Sequence, residues 1–335
     1  MKFIFAIFLC VFSSIIDANE LNGIVVFGDS LSDSGNLYEY MKKQLPSSPP
    51  YYHGRFTNGP LWIDWLSSYY FSQQDARKIQ NFAIGGAGVY IKNSDDKDNS
   101  DDQDDLPIFT LQHEVDSYLL ANNGHADPNS LYVFWIGANN YLSFEVHDPD
   151  DQTDLASREI KLVNNVINGT KTDLKRLIDL GAQTILVANL PDLGRLPKAI
   201  SEDEKASYTR ISTLHNEQLQ SEIEKMMVDY PHVKWLPLDI YSIFHRALNE
   251  PSTYSFKNVI DACFLSHPST EEVKHSRFIS HSILNIISLV NKVQTNDICD
   301  DYLFVDLVHP SAKAHKIVAN MAIDLLNQSN ITFRR

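Results

Sequence analysis

The sequence predicts an α/β fold, a three-layer α/β/α sandwich around a parallel five-stranded sheet, and three observations carry that prediction. Five short apolar runs recur along the chain. Longer segments of helical spacing separate them, and no period of twenty to fifty residues repeats, which excludes a solenoid or propeller. With 335 residues, 43% hydrophobic and 21% charged, the chain has ordinary globular composition and is read as one domain with insertions rather than a disordered or fibrous chain.

The elements follow in order. An unbroken apolar run from Phe3 to Ile16, behind Lys2, is too short to cross a bilayer and has the length of a signal-peptide core. Ala18 supplies a small residue at its end, so residues 1–18 are expected to be a signal peptide. The mature chain would then begin near Asn19, be secreted or periplasmic, and leave Cys10 behind with the signal. Expected strands are Gly23 to Phe27, Lys78 to Phe82, Leu131 to Ile136, Gln183 to Asn189 and His232 to Pro237. Before the fourth, Val163, Val166, Ile167, Leu174, Leu177 and Ile178 keep three-and-four spacing and Gly181 supplies the helix stop.

Two segments stand outside this alternation. The segment 93–105 carries seven aspartates against one lysine and is expected to be a surface loop. Its spacing fails the EF-hand pattern, with no glycine at the sharp turn and no closing glutamate. Between His275 and Val293, Ile279, Ile283, Ile286, Ile287, Val290 and Val293 form one helical stripe opposite Ser276, Ser280, Ser288 and Asn291. That stripe fits either a lid facing lipid or a helix packed on the sheet, because periodicity does not distinguish the two surfaces.

Acidic residues outnumber basic ones 43 to 28, a net charge of -15, so nothing supports a nucleic-acid partner recognised through phosphates. Net charge does not attract the chain to anionic membranes either. Cys263 and Cys299 remain after the signal is removed, and in an exported chain an even pair reads first as a disulfide, with two free thiols as the other reading.

The residues that carry chemistry lie at strand ends. Phe27-Gly28-Asp29-Ser30-Leu31-Ser32-Asp33-Ser34-Gly35-Asn36 puts a serine just past the carboxyl end of the first strand, where active sites of open α/β sheets collect. A serine hydroxyl is a poor nucleophile until a base takes its proton, and Asp306-Leu307-Val308-His309-Pro310 offers a histidine with a carboxylate to orient it. Oxyanion donors can come from Asn81-Phe82-Ala83-Ile84-Gly85-Gly86-Ala87-Gly88, whose glycines leave a backbone N–H accessible. Ile136-Gly137-Ala138-Asn139-Asn140 adds a side-chain amide. His53, His113, His125, His215 and His245 show no paired metal-ligand spacing, and neither a metal nor any other cofactor is expected.

With these four blocks in order, the sequence resembles the GDSL esterases and lipases of the SGNH hydrolase superfamily from Gly23 to about Ala319. The resemblance implies Ser30 as nucleophile, Gly86 and Asn139 as oxyanion donors beside the Ser30 N–H, and His309 with Asp306 as base and orienter. Gly54-Arg55-Phe56-Thr57-Asn58-Gly59, Asn189-Leu190-Pro191 before Leu193-Gly194, and Asn258-Val259 leading to Cys263 are weaker matches. One position departs from the pattern: Asn140 stands where the family usually has aspartate, and is expected to keep a hydrogen bond with less charge.

The exported chain, the Gly-Ala-Asn block and the cysteine pair are most similar to bacterial secreted lysophospholipases and glycerophospholipid acyltransferases. That similarity implies a lysophospholipid or phospholipid substrate, a possible sterol acceptor, transient contact with a membrane surface, and activation by a protease cutting within 263–299, where Lys274, Arg277 and Lys292 stand. Two other readings are a carbohydrate or small-ester esterase with Tyr51, Tyr52, Trp62 and Tyr141 available as pocket aromatics, and a non-catalytic surface-binding protein, motivated only by Asn140.

Overall fold

A computed structural model describes residues 19–89, 109–148, 151, 153–265 and 298–334. The expected signal peptide 1–18, the acidic segment 93–105 and the stripe 275–293 lie outside the described residues. Nine strands are described: β1 (Asn19–Leu21), β2 (Gly23–Gly28), β3 (Ile79–Asn81), β4 (Ser130–Trp135), β5 (Thr184–Ala188), β6 (Lys234–Leu238), β7 (Asn258–Ala262), β8 (Tyr302–Phe304) and β9 (Ile331–Phe333). The helices are α1 (Asn36–Tyr40), α2 (Trp62–Tyr70), α3 (Leu111–Ala121), α4 (Ala138–Leu142), α5 (Leu155–Asp179), α6 (Glu202–Asp229), α7 (Ile240–Asn249) and α8 (Ala312–Gln328).

The central sheet is five-stranded and wholly parallel, in the order β3-β2-β4-β5-β6, and its strands are the five apolar runs of the sequence. Every residue of β2, β4 and β5 is buried, as expected where helices cover both faces. The chain steps from β2 to β3 and then reverses, returning past β2 to β4. Right-handed crossovers then put α2, on the leftward step to β3, on one face and α3, α5 and α6, on the rightward steps, on the other. The packing follows: α2 lies against α8, while α5 lies against α3 and α6. The reversal makes the crevice between the ends of β2 and β4 the topological switch point.

Two parallel pairs that the sequence analysis does not anticipate stand outside this sheet. β1 pairs with β9 and so joins the two ends of the described chain, and β7 pairs with β8. Beside β7 and β8, Cys263 and Cys299 form a disulfide with Cα atoms 5.6 Å apart. It closes the 36-residue separation in which 266–297 fall outside the described residues.

Local signals account for the helix limits. Asp154 caps α5 by accepting the Ser157 N–H at 3.0 Å. At the other end the Gly181 N–H reaches the Ile178 carbonyl and the Ala182 N–H reaches the Leu177 carbonyl, each at 3.0 Å, the bonding of a Schellman stop. Gly181 has φ +125°, and a Cβ there would run into the Ala126 carbonyl. The helix α6 opens with a capping box, Ser201 Oγ accepting from Glu204 N–H and the Glu204 carboxylate accepting from Ser201 N–H.

The helix α6 also carries His215, buried and joined through Nδ1 to the Tyr141 hydroxyl at 2.8 Å, so that α4 is fixed to the helix layer. Burial pushes His215 down from 6.5 to about 3. The folded state therefore binds fewer protons than the unfolded state between those values, and the stability tied to neutral His215 is full above pH 6.5 and lost as pH falls toward 3. Other titrating groups are common to wild type and His215→Gln and cancel in the comparison. The stability advantage of wild type over His215→Gln, from urea melts at several pH values, is expected to shrink by about 1.4 kcal/mol per pH unit below pH 6.5.

Candidate active site

The strand β2 ends where its neighbours leave no room for a side chain. Gly28 pairs with Trp135, and a Cβ on it would stand 2.6 Å from the Trp135 carbonyl oxygen. The chain then turns through Asp29 and Ser30, with the Ser32 and Asp33 N–H groups both reaching the Asp29 carbonyl at 3.0 Å. On the far side, Asp306 to His309 form a tight turn after β8, closed by the Val305 N–H on the His309 carbonyl at 2.9 Å. His309 Nε2 stands 2.8 Å from Ser30 Oγ, and His309 Nδ1 stands 2.7 Å from Asp306 Oδ2. Asp306 Oδ1 accepts the Val308 and His309 N–H groups at 2.9 and 2.7 Å.

All three side chains are buried. Burial opposes ionisation of Asp306, yet the charge and hydrogen bond of His309, with the Tyr51 hydroxyl and the Val308 N–H, hold the carboxyl below its usual range. In the nucleophile turn burial wins: it raises Asp29 to about 6 against the Leu31 N–H and the nearby His309. Glu114 on α3 accepts the Gly28 N–H at 2.8 Å, and burial pushes its carboxyl well above the ordinary value.

The glycine loop between β3 and α3 is gripped from two sides. From the nucleophile side, Asp33 accepts four backbone N–H groups: Gly35 at 2.7, Asn36 at 2.5, Leu37 at 3.0 and Gly85 at 2.7 Å. Asn36 donates to the Asn81 and Ala83 carbonyls at 2.9 and 2.8 Å, while Asn81 donates back to the Ser32 carbonyl at 2.7 Å. From the β4 side, Asn139 Nδ2 donates to the Ala87 carbonyl at 2.7 Å. Asn140 Oδ1 accepts the Val89 N–H at 2.8 Å and its Nδ2 donates to the Val89 carbonyl at 3.0 Å. Asn140 thus keeps the expected hydrogen bond and adds a second that only an amide can donate.

Ser30, His309 and Asp306 are therefore in hydrogen-bond contact, and Asn139 lines the same pocket as Ser30 and His309. Gly86, with φ +81°, precedes the Ala87 carbonyl that Asn139 holds. Among the described residues neither the Ser30 nor the Gly86 N–H has an acceptor, and Asn139 retains one amide hydrogen beyond the bond to Ala87. Such an arrangement can deprotonate a serine hydroxyl and offer the Ser30 N–H and the Asn139 amide to an oxyanion, while Gly86 stands in the adjoining glycine loop and is not among the residues lining the pocket. Apart from Asp29, the rest of the pocket is apolar and includes Trp135, Leu142, Leu193, Leu196, Phe244 and Val308.

The aromatics offered for a sugar pocket are placed otherwise. Tyr51, Trp62 and Tyr141 are each no more than 2% exposed, bonded to Asp306, the Ser32 hydroxyl and His215 respectively. Tyr52 alone of the four is exposed. Sequence reasoning noted Gly54–Gly59 without a role. In the structure the Phe56 ring stacks on the His309 ring at 5.2 Å, Thr57 Oγ1 donates to the Pro310 carbonyl at 3.0 Å, and Asn58 Oδ1 accepts the Ala312 N–H at 2.8 Å. Asp33 and Asn36, already inside the first motif, carried a signal in their adjacency to Ser30; Glu114, on a distant helix, carried none. Among the described residues no group of His, Cys, Asp or Glu side chains is arranged to hold a metal ion, and no helix is long and apolar enough to cross a membrane.

The sequence profile of the GDSL-like lipase/acylhydrolase family matches residues 24–322. Phosphatidylcholine-sterol acyltransferase of Aeromonas hydrophila is 29% identical over 319 residues, covering 89% of this chain and 88% of that one. Secreted effector protein SseJ of Salmonella typhimurium is 28% identical, covering 91% of this chain and 64% of that one. Thermolabile hemolysin of Vibrio parahaemolyticus is 22% identical, covering 92% and 65%.

Because Asp33 ties the Gly85–Gly86 turn to the Ser30 turn, Asp33→Asn is expected to displace the glycine loop from the Ser30 turn, lowering kcat roughly 100-fold with little change in KM. Steady-state kinetics on a soluble ester, with a thermal melt of the same preparation, checks it.

Proposed function

The chain belongs to the GDSL-like lipase/acylhydrolase family, and on that premise we propose that it releases fatty acids from lysophospholipids or phospholipids through an acyl-enzyme on Ser30. In this reading His309 Nε2 takes the Ser30 proton as Oγ attacks the acyl carbonyl, and Asp306 stabilises the imidazolium that forms. The Ser30 and Gly86 N–H groups and the Asn139 amide receive the oxyanion. Collapse of the tetrahedral intermediate breaks the ester bond, and His309 returns the proton to the departing glycerol oxygen. Water then attacks the acyl-enzyme with His309 again as base; a sterol hydroxyl in its place makes the reaction an acyl transfer.

The observation that carries the lipid substrate is the pocket: beside Ser30 and His309 its walls are Trp135, Leu142, Leu193, Leu196, Phe244 and Val308, which suit an acyl chain. The Aeromonas relative, a phosphatidylcholine-sterol acyltransferase, supports a phosphatidylcholine donor and a sterol acceptor. A carbohydrate ester is less well served, since Tyr51, Trp62 and Tyr141 are buried. Export by the 1–18 segment, in keeping with the secreted Salmonella relative, and transient contact with a membrane surface belong to the same reading. So does activation by cleavage within the loop closed by Cys263 and Cys299. Equal specific activity of intact and nicked protein would sink that last element.

The test is fatty-acid release from lysophosphatidylcholine, diacyl phosphatidylcholine and a short acetyl ester by the mature chain, beside Ser30→Ala. Lysolipid turnover well above acetyl-ester turnover, lost in Ser30→Ala, is expected; acetyl-ester turnover alone overturns the lipid assignment. Leu196 also borders a second groove lined by Ile200, Leu248 and Val259, so its side chain is a wall of the acyl pocket. Leu196→Trp is expected to cut turnover of long-chain lysolipids ~10-fold or more while sparing a short ester, read as a ratio of kcat/KM values.

A further inference from the structure

We propose that Tyr51 is a positioning residue for the Asp306–His309 pair, its phenol holding the carboxylate oxygen that orients the imidazole, with Phe264 wedged behind the ring. This rests on the reading of Ser30, His309 and Asp306 as the catalytic set. The Tyr51 hydroxyl stands 2.5 Å from Asp306 Oδ2, the same oxygen that faces His309 Nδ1 at 2.7 Å. Asp306 thus meets four donors: two backbone N–H groups on Oδ1, and the phenol and imidazole on Oδ2. No rotation of the carboxylate is possible without breaking at least two of them.

The phenol is itself held. The Tyr51 ring meets Phe264 edge-on at 5.3 Å and Phe56 at 6.1 Å, and Phe56 in turn stacks on His309. Phe264 follows Cys263 of the disulfide and is pinned by its N–H on the Val305 carbonyl at 2.7 Å, one residue before Asp306. Tyr51, Phe56 and Phe264 thus belong to one small cluster, which also includes Leu37, Cys299 and Val305, and its Phe56 lies against the ring that Tyr51 serves. Burial, then the adjacent Asp306 charge, pushes the phenol well above its usual range, so it remains a donor at every pH at which the enzyme would work.

A donor on Oδ2 draws negative charge away from the His309 side of the carboxylate. Without it, Oδ2 is the stronger partner for imidazolium, and neutral His309, the form that accepts the Ser30 proton, is reached only at higher pH. The other titratable groups facing His309 are Asp29 from the nucleophile turn and His315 from α8, and both persist in the variant.

Tyr51→Phe keeps the ring and removes only the hydroxyl. In the full mature chain it is expected to move the acid limb of kcat/KM up by about half a pH unit or more, lower kcat ~10-fold and leave KM nearly unchanged. The low-field Nδ1–H proton resonance of His309 is expected to shift as well. A role in packing alone predicts the wild-type limb, resonance and kcat, and that result, or a limb moved downward, overturns the proposal. Should Tyr51→Phe fail to fold, Phe264→Leu, which keeps the phenol and loosens its support, is expected to move the limb in the same direction by less, and an unmoved limb there overturns it equally. Ser30→Ala is run alongside. Turnover surviving in that variant refutes the catalytic set itself, whereas a dead Ser30→Ala with an unshifted Tyr51→Phe refutes only the part given to Tyr51.

Discussion

The pairing of β2 on both edges, with β3 on one side and β4 on the other, is the constraint from which the site follows. A strand buried on both faces and bonded on both edges cannot shift its register without exposing apolar residues and breaking two ladders. Its last residue is therefore fixed to within a bond length, and the turn carrying Ser30 begins there. The neighbouring strands end at the same edge, so the loops with Gly86 and Asn139 arrive on either side of that turn. Chain direction alone brings three of the four blocks together.

Bringing loops to one edge does not set distances to the tenth of an ångström, and here buried polar groups do that work. Asp33 gathers N–H groups from its own turn and from Gly85, Asn36 donates to the Asn81 carbonyl while Asn81 donates to the Ser32 carbonyl, and Asn140 closes a two-way clamp on Val89. A buried carboxylate with four donors is stable only while all four stay in place, since desolvation is otherwise uncompensated. Rigidity of the glycine loop is thus a consequence of burial. The same logic holds on the opposite side, where the Asp306 turn is bounded by β8, by Thr57 and Asn58 on the residues after His309, and by Phe264, the residue after Cys263 of the disulfide.

Much of this was legible in the chain, and the limits have physical causes. The inner strands β2, β4 and β5 were readable because a parallel strand buried on both faces is a short apolar run, and α5 because its Gly181 stop and three-and-four stripe are local signals. The parallel pairs β1 with β9 and β7 with β8 were not readable, being three to five residues long and joining segments whose partners lie far away in sequence or, for β7 and β8, across the cysteine loop. Tyr51, Trp62 and Tyr141 looked like pocket aromatics because composition cannot tell a ring that faces a ligand from one whose polar atom serves a buried partner.

By itself the sequence determined the fold class, the order of the strands' apolar runs, the serine, histidine and aspartate that meet beside the pocket and the cysteine pair, because each is written in local spacing or chemical identity. Only the tertiary structure decided which donors surround Asp306, how Asp33 and Asn140 lock the glycine loop, and that the wall beside Ser30 is apolar. These depend on residues such as Tyr51 and Asp306, 255 positions apart, meeting at hydrogen-bond distance. Contact at that range is a property of packing, which no local pattern encodes.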